Sequence, residues 1–134
     1  MLEVEILVGE HDAASGRVPP PEEVRRLCTL AAGSAGIGDG HLAIEFVDEQ
    51  RIAELNSRHR QRRGPTDVLS FPMDETGPGR GARELGDVVI CLKQTADVAE
   101  AIVHGVLHLI GMDHETDDGE MLLVQRELLA QGPA

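Results

Sequence analysis

The sequence predicts an α+β fold, a small mixed sheet of about four strands packed with helices. Three observations carry it. Leu2-Glu3-Val4-Glu5-Ile6 alternates apolar and acidic residues, and Leu42, Ile44 and Phe46 alternate again, which is the period of a half-buried strand. Val68–Phe71 and Leu85–Ile90 are short β-prone runs bounded by proline, glycine or charge. Apolar residues recur at helical spacing after Pro20-Pro21, from Thr95 to Ile110 and from Glu120 to Leu129.

Taken in order, the first strand gives way to a loop over Gly9–Pro19, rich in Gly, Ser, Asp and Pro. Pro20 and Pro21 suit a helix start, and Val24, Leu27, Cys28 and Ala31 supply its buried stripe. Glycines 33, 36, 38 and 40 end it. The second strand follows, and Asp48 is a good N-cap for a short helix burying Ile52 and Leu55. A third strand over Val68–Phe71 ends at Pro72, and Met73–Arg83 is a Gly- and charge-rich loop before the fourth strand. The next helix closes at Gly111, a C-cap glycine, and a last amphipathic helix covers Glu120–Leu129. No repeat or linker divides residues 1–134, which read as a single domain.

Composition narrows the function. The chain carries 12 basic and 24 acidic residues, a formal charge of −12, which disfavours non-specific polyanion binding. It has two Phe and no Trp or Tyr, so an aromatic base-stacking platform lacks its material. Cys28 and Cys91 are isolated, without a CxxC pair, and read as small buried apolar residues. No apolar run is long enough to span a bilayer and the N-terminus lacks a basic leader region, so a cytoplasmic protein is expected.

Three of the six histidines fall within His104–His114. His104 and His108, four apart, share one helix face, and Gly111 lets the chain turn back so that His114 can join them. Three neutral nitrogen ligands leave a fourth tetrahedral position for water, the pattern of a catalytic zinc site at the end of the central helix. One zinc ion is therefore expected on His104, His108 and His114. The spacing equals that of metzincin proteases, but their general-base glutamate is replaced by Gly105. Asp113 and Glu115 are nearby acids placed to orient a ligand histidine or take a proton; the alternative is that Asp113 caps a turn.

A second cluster is basic. Arg58, Arg60, Arg62 and Arg63 precede a proline-closed entry into the third strand. Guanidinium groups pair bidentately with phosphate, so these residues are candidates to contact an RNA backbone; the alternative is a solvated helix end.

The blocks Leu55-Asn56, Arg60, PTDVLSFP (Pro65–Pro72), LGDVVI (Leu85–Ile90) and HGVLHLIGMDH (His104–His114) occur in that order. Together they resemble the YbeY family of bacterial endoribonucleases, the rRNA maturation factors, over most of the chain from about Leu42 onward. The resemblance implies a single-strand-specific, metal-dependent endoribonuclease acting on ribosomal RNA, including the 3′ end of the small-subunit rRNA, and in ribosome quality control. It also implies zinc on His104, His108 and His114, and an active-site arginine at Arg60.

Departures from the family pattern are His59 and Met112 where tyrosines are usual, and Arg63 where an acid is usual. The stretch between Ile90 and His104 is also short: Cys91–Val103 must join strand to metal helix in thirteen residues, so two helices are fused or one is lost.

The expected chemistry is phosphodiester cleavage by a zinc-activated water, or by the substrate's 2′-hydroxyl, with Arg60 neutralising charge on the phosphate. The acidic balance points to specificity supplied by a partner, a ribosomal subunit or ribosomal protein. Two other readings stand beside this one. One is a zinc hydrolase acting on an amide or ester; the other is a non-catalytic ribosome-assembly factor with structural zinc.

Overall fold

A computed structural model describes residues 2–60, 64, 66–73, 84–112 and 119–131, apart from the side chains of His11 and Arg60. The order of elements is β1 (Leu2–Val8), α1 (Glu10–Ala13), α2 (Pro21–Gly33), β2 (Gly40–Val47), α3 (Glu49–Arg60), β3 (Val68–Pro72), β4 (Glu84–Cys91), a 3₁₀ turn (Leu92–Gln94), α4 (Val98–Leu109) and α5 (Glu120–Leu129). The expected α+β architecture is present. One element was not expected: α1, a single turn inside the segment read as loop, where Ala13 N–H donates to Gly9 at 2.9 Å. One helical turn is too short to show a period.

The four strands form one sheet in the order β1-β2-β4-β3. β1, β2 and β4 are parallel, and β3 runs antiparallel to β4 at the edge, so the sheet is mixed as expected. Alternation sorts the residues between two faces. Leu42, Ile44, Phe46, Val88 and Ile90 point to the larger core, shared with α2 and α4. Val47, Leu69, Val89 and Cys91 point to a smaller core under α3, filled by Ile52 and Leu55. Truncating Leu42, Ile44, Ile52 or Ile90, all fully buried, to Ala costs about 2–5 kcal/mol.

Helix boundaries follow local chemistry. Pro21 opens α2 with its fixed φ and missing N–H, where neither is a penalty. Asp48 caps α3 as expected, accepting from Arg51 N–H at 2.8 Å. Asp97 caps α4 by accepting from Glu100 N–H at 3.1 Å. Gly111 has φ of 102°, Met112 N–H donates to Leu107 and Gly111 N–H to His108, each at 3.1 Å. This is a Schellman closure, which needs a residue tolerant of positive φ.

Between β4 and α4 the chain makes a 3₁₀ turn over Leu92–Gln94, and α4 starts at Val98. Arg17, far away in sequence, donates to the carbonyls of Leu92 and Thr95 and ties that turn down. Burial pushes the Cys28 thiol up to about 12 and raises that of Cys91 as well, so both stay protonated and behave as the apolar residues expected.

Candidate metal centre

The histidine helix is buried on most sides. Ala101, Ile102, Val103, Val106 and Leu107 are inaccessible because α4 packs against β3, β4, α2 and α5 together. His104 and His108 are only half-buried. They share the face expected from their spacing, and their Nε2 atoms stand 3.2 Å apart. Two nitrogens held at about 2.0–2.1 Å by one tetrahedral zinc stand about 3.3 Å apart. The rings meet edge to face, with centroids 4.8 Å apart and planes at 73°. The Nε2 separation matches that of two ligands on one tetrahedral zinc.

The neighbours fix that geometry. Gly105, between the histidines, lies against the sheet: a Cβ there would be 2.4 Å from Val88 Cγ1 and 3.3 Å from Val68 Cγ2. Its carbonyl accepts from Ser70 Oγ at 2.9 Å, locking α4 to β3. At the far end of α4, Leu109 comes down beside Gly86, where a Cβ would fall 2.2 Å from the Phe71 carbonyl and 3.1 Å from Leu109 Cδ2. On the other side, Gln125 of α5 is buried and its Oε1 lies 2.8 Å from His104 Nδ1.

The arginine segment begins on the opposite face of the sheet. Arg60 is the last residue of α3, and its side chain is not described. His59, just before it, packs edge-on against Phe71 of β3 with ring centroids 5.0 Å apart. Phe71 pairs with Asp87, and its neighbour Pro72 pairs with Gly86, the glycine beneath Leu109. The C-termini of α3 and α4 therefore lie at the same end of the sheet, on opposite faces. Arg58 is exposed and lines a shallow hollow with Gln50, Glu54 and Ser57 on α3. Arg62, Arg63, Asp113 and His114 lie outside the described residues.

The entry into β3 is anchored by polar residues. Asn56, buried on α3, donates from Nδ2 to the Gly64 carbonyl at 3.0 Å. The Asp67 carboxylate accepts from Val68 N–H at 2.9 Å, and its carbonyl accepts from Cys91 N–H at 2.9 Å. Buried Thr95 donates to the Cys91 carbonyl at 2.7 Å.

Sequence reasoning passed over Gln125, Ser70 and Thr95, and quoted Asn56 without giving it a role. Gln125 did carry a signal: it interrupts the buried stripe of Met121 and Leu128 on α5, and a polar residue on an apolar stripe needs a partner.

Comparison with known proteins places the chain in a family. The family model described as Endoribonuclease YbeY matches residues 21–131. The chain belongs to the YbeY family. A YbeY protein from Bifidobacterium animalis is 45% identical over 66% of this chain and 59% of its own length, so this match spans less than two thirds of the relative. YbeY proteins from Bacillus cytotoxicus and Stutzerimonas stutzeri are 38% and 37% identical, over 79% and 89% of this chain and 82% of each relative. All three relatives carry the name endoribonuclease. The solution structure of TM1509 from Thermotoga maritima superposes with a TM-score of 0.55 at 26% identity, over 98% of this chain and 88% of its own. The Bifidobacterium alignment is 106 positions long yet covers only 66% of 134 residues, so it contains positions this chain lacks.

Proposed function

We propose that this chain is a zinc-dependent endoribonuclease that cleaves single-stranded RNA during ribosomal RNA maturation, including the 3′ end of the small-subunit rRNA. The observation that carries the reading is the 3.2 Å convergence of His104 and His108 Nε2 on one helix face, in a chain of the YbeY family. His114, just beyond the Gly111 turn, is the proposed third ligand. When bound, zinc supplies Lewis acidity toward a phosphoryl oxygen and lowers the pKa of a water.

The protein's own residues supply position and charge. Gly105 and Ser70 set the height of α4 on the sheet, and with it the aim of the two imidazoles. Arg60 is proposed to pair with the scissile phosphate and stabilise the charge that builds on it. Arg62 and Arg63 are proposed to contact neighbouring phosphates, and Arg58 a more distant one. Asp113 is proposed to support a ligand histidine. No helix among the described residues is long and apolar enough to cross a membrane. With a net charge of −12, the chain is proposed to reach its substrate in the cytoplasm through a ribosomal subunit or ribosomal protein, with a role in ribosome quality control.

An amide hydrolase is disfavoured by Gly105. The position of the protease base faces Val88, and a carboxylate there would enter the sheet core. The assembly-factor reading, with zinc only structural, draws on the short β4–α4 connection.

The test is cleavage of a single-stranded RNA by zinc-loaded protein, with H114A purified identically. Cleavage by the parent alone supports the nuclease, and the product ends identify water or 2′-hydroxyl as nucleophile. Equal cleavage by both proteins means a contaminant. Zinc binding without cleavage, on free RNA and on ribosomal particles alike, supports the assembly factor.

A further inference from the structure

Gln125 lies outside every motif that identified the metal centre. It is nevertheless buried, on a different helix, with its amide oxygen 2.8 Å from His104 Nδ1. An amide oxygen only accepts, so Nδ1 must carry the proton that it receives. A neutral imidazole protonated at Nδ1 has its lone pair on Nε2, the atom that stands 3.2 Å from His108 Nε2. The bond therefore selects the tautomer in which His104 can serve as a ligand, and it fixes the rotation of the ring.

We infer that Gln125 is a positioning residue for the metal site, which holds His104 in its Nδ1–H tautomer with Nε2 aimed at the zinc. This rests on the zinc reading above. The placement makes α5 part of the site. Met121 and Leu128 anchor the helix in the main core on either side of Gln125, so the amide is presented from a rigid element. A partner behind a ligand imidazole typically contributes about 10–100-fold in metal affinity.

The experiment compares the parent with Q125M, which keeps length and apolar packing but removes the acceptor, and with Q125E, which restores one. Three quantities are read: zinc affinity by chelator competition, the imidazole ¹⁵N tautomer of His104 in zinc-free protein, and the thermal midpoint of zinc-free protein. The expected result is a Q125M protein that melts close to the parent, loses the fixed Nδ1–H tautomer, and binds zinc about 10–100-fold more weakly. Q125E recovers both tautomer and affinity. A folded Q125M with parental affinity and tautomer overturns the inference while leaving the zinc site standing. A Q125M protein that weakens zinc only because it has unfolded, with Q125E equally weak, assigns Gln125 a packing role and also overturns it. A parent that binds no zinc removes the metal reading itself, and this role for Gln125 with it.

Discussion

Gly105 and Val88 are in such close contact that a single added methyl would bring a carbon within 2.4 Å of Val88 Cγ1. The histidine helix thus lies on the sheet at a distance that only glycine permits. In an exposed helix Gly→Ala gains about 1 kcal/mol from propensity. Here the overlap costs more, and G105A is expected to lower stability by a net of about 1–3 kcal/mol in urea unfolding. Lifting α4 also pulls Gly105 O from Ser70 and tilts the imidazoles, so zinc affinity should fall with it. A G105A protein as stable as the parent would mean that α4 does not rest on β4 in this way.

Arg60 and Asn56 separate chemistry from support. Removing a donor aimed at developing charge costs about 10²–10³-fold in rate, so R60A is expected to lose about that much RNA cleavage. Its zinc content should match the parent, because Arg60 is not a proposed metal ligand. Asn56 is buried, and N56A leaves the Gly64 carbonyl without its donor. The expected cost is about 1–3 kcal/mol of stability, plus weakened cleavage from a displaced arginine segment. If R60A releases zinc, or N56A melts with the parent, these roles are misassigned.

The short β4–α4 connection makes its own prediction. Arg17 reaches from the segment after α1 to bond the carbonyls of Leu92, which opens the 3₁₀ turn, and Thr95, which follows it. R17M keeps the aliphatic stem and removes both donors, and should cost about 1–3 kcal/mol. Hydrogen exchange should quicken first in Leu92–Asp97, at the start of α4. Unchanged exchange there would show that the connection holds without the clamp.

Legibility in the sequence followed the range of the interactions. Strand β1 and helices α2 and α5 were readable because each buries mainly one face, and burial writes its period into the residues; β2 and α4, buried more widely, were readable from their dense apolar runs. The His104–His108 pair was readable because ligand spacing and helix pitch are both local. Gln125 and Ser70 were not readable as support, since their partners lie 21 and 35 residues away and depend on which helix covers which strand. Gly105 was noticed only as a missing carboxylate. Its packing against Val88 needs the layer geometry, which no local pattern encodes.

His41 gives the fold a titratable latch near the same end of the sheet. Its Nδ1 lies 2.9 Å from Glu84 across the β2–β4 pairing, and its Nε2 lies 3.7 Å from Glu5 on β1. The hydrogen bond to Glu84 chiefly raises its pKa above the ordinary histidine value; desolvation opposes this, and the charges of Glu84, Glu5 and Glu3 add to the rise. A group whose pKa is raised by folding stabilises the native state when protonated. Its contribution is full below the unfolded value, about 6.5, and is lost as pH rises through the folded one. Because Glu84 and Glu5 are well exposed, the contribution stays under about 1 kcal/mol. The parent should therefore exceed H41Q in stability at about pH 5.5 in low salt, and the gap should close toward about pH 9 and in about 1 M salt. Urea unfolding of both proteins at the two pH values measures it. A gap of the same size at both would place the effect in packing rather than in charge.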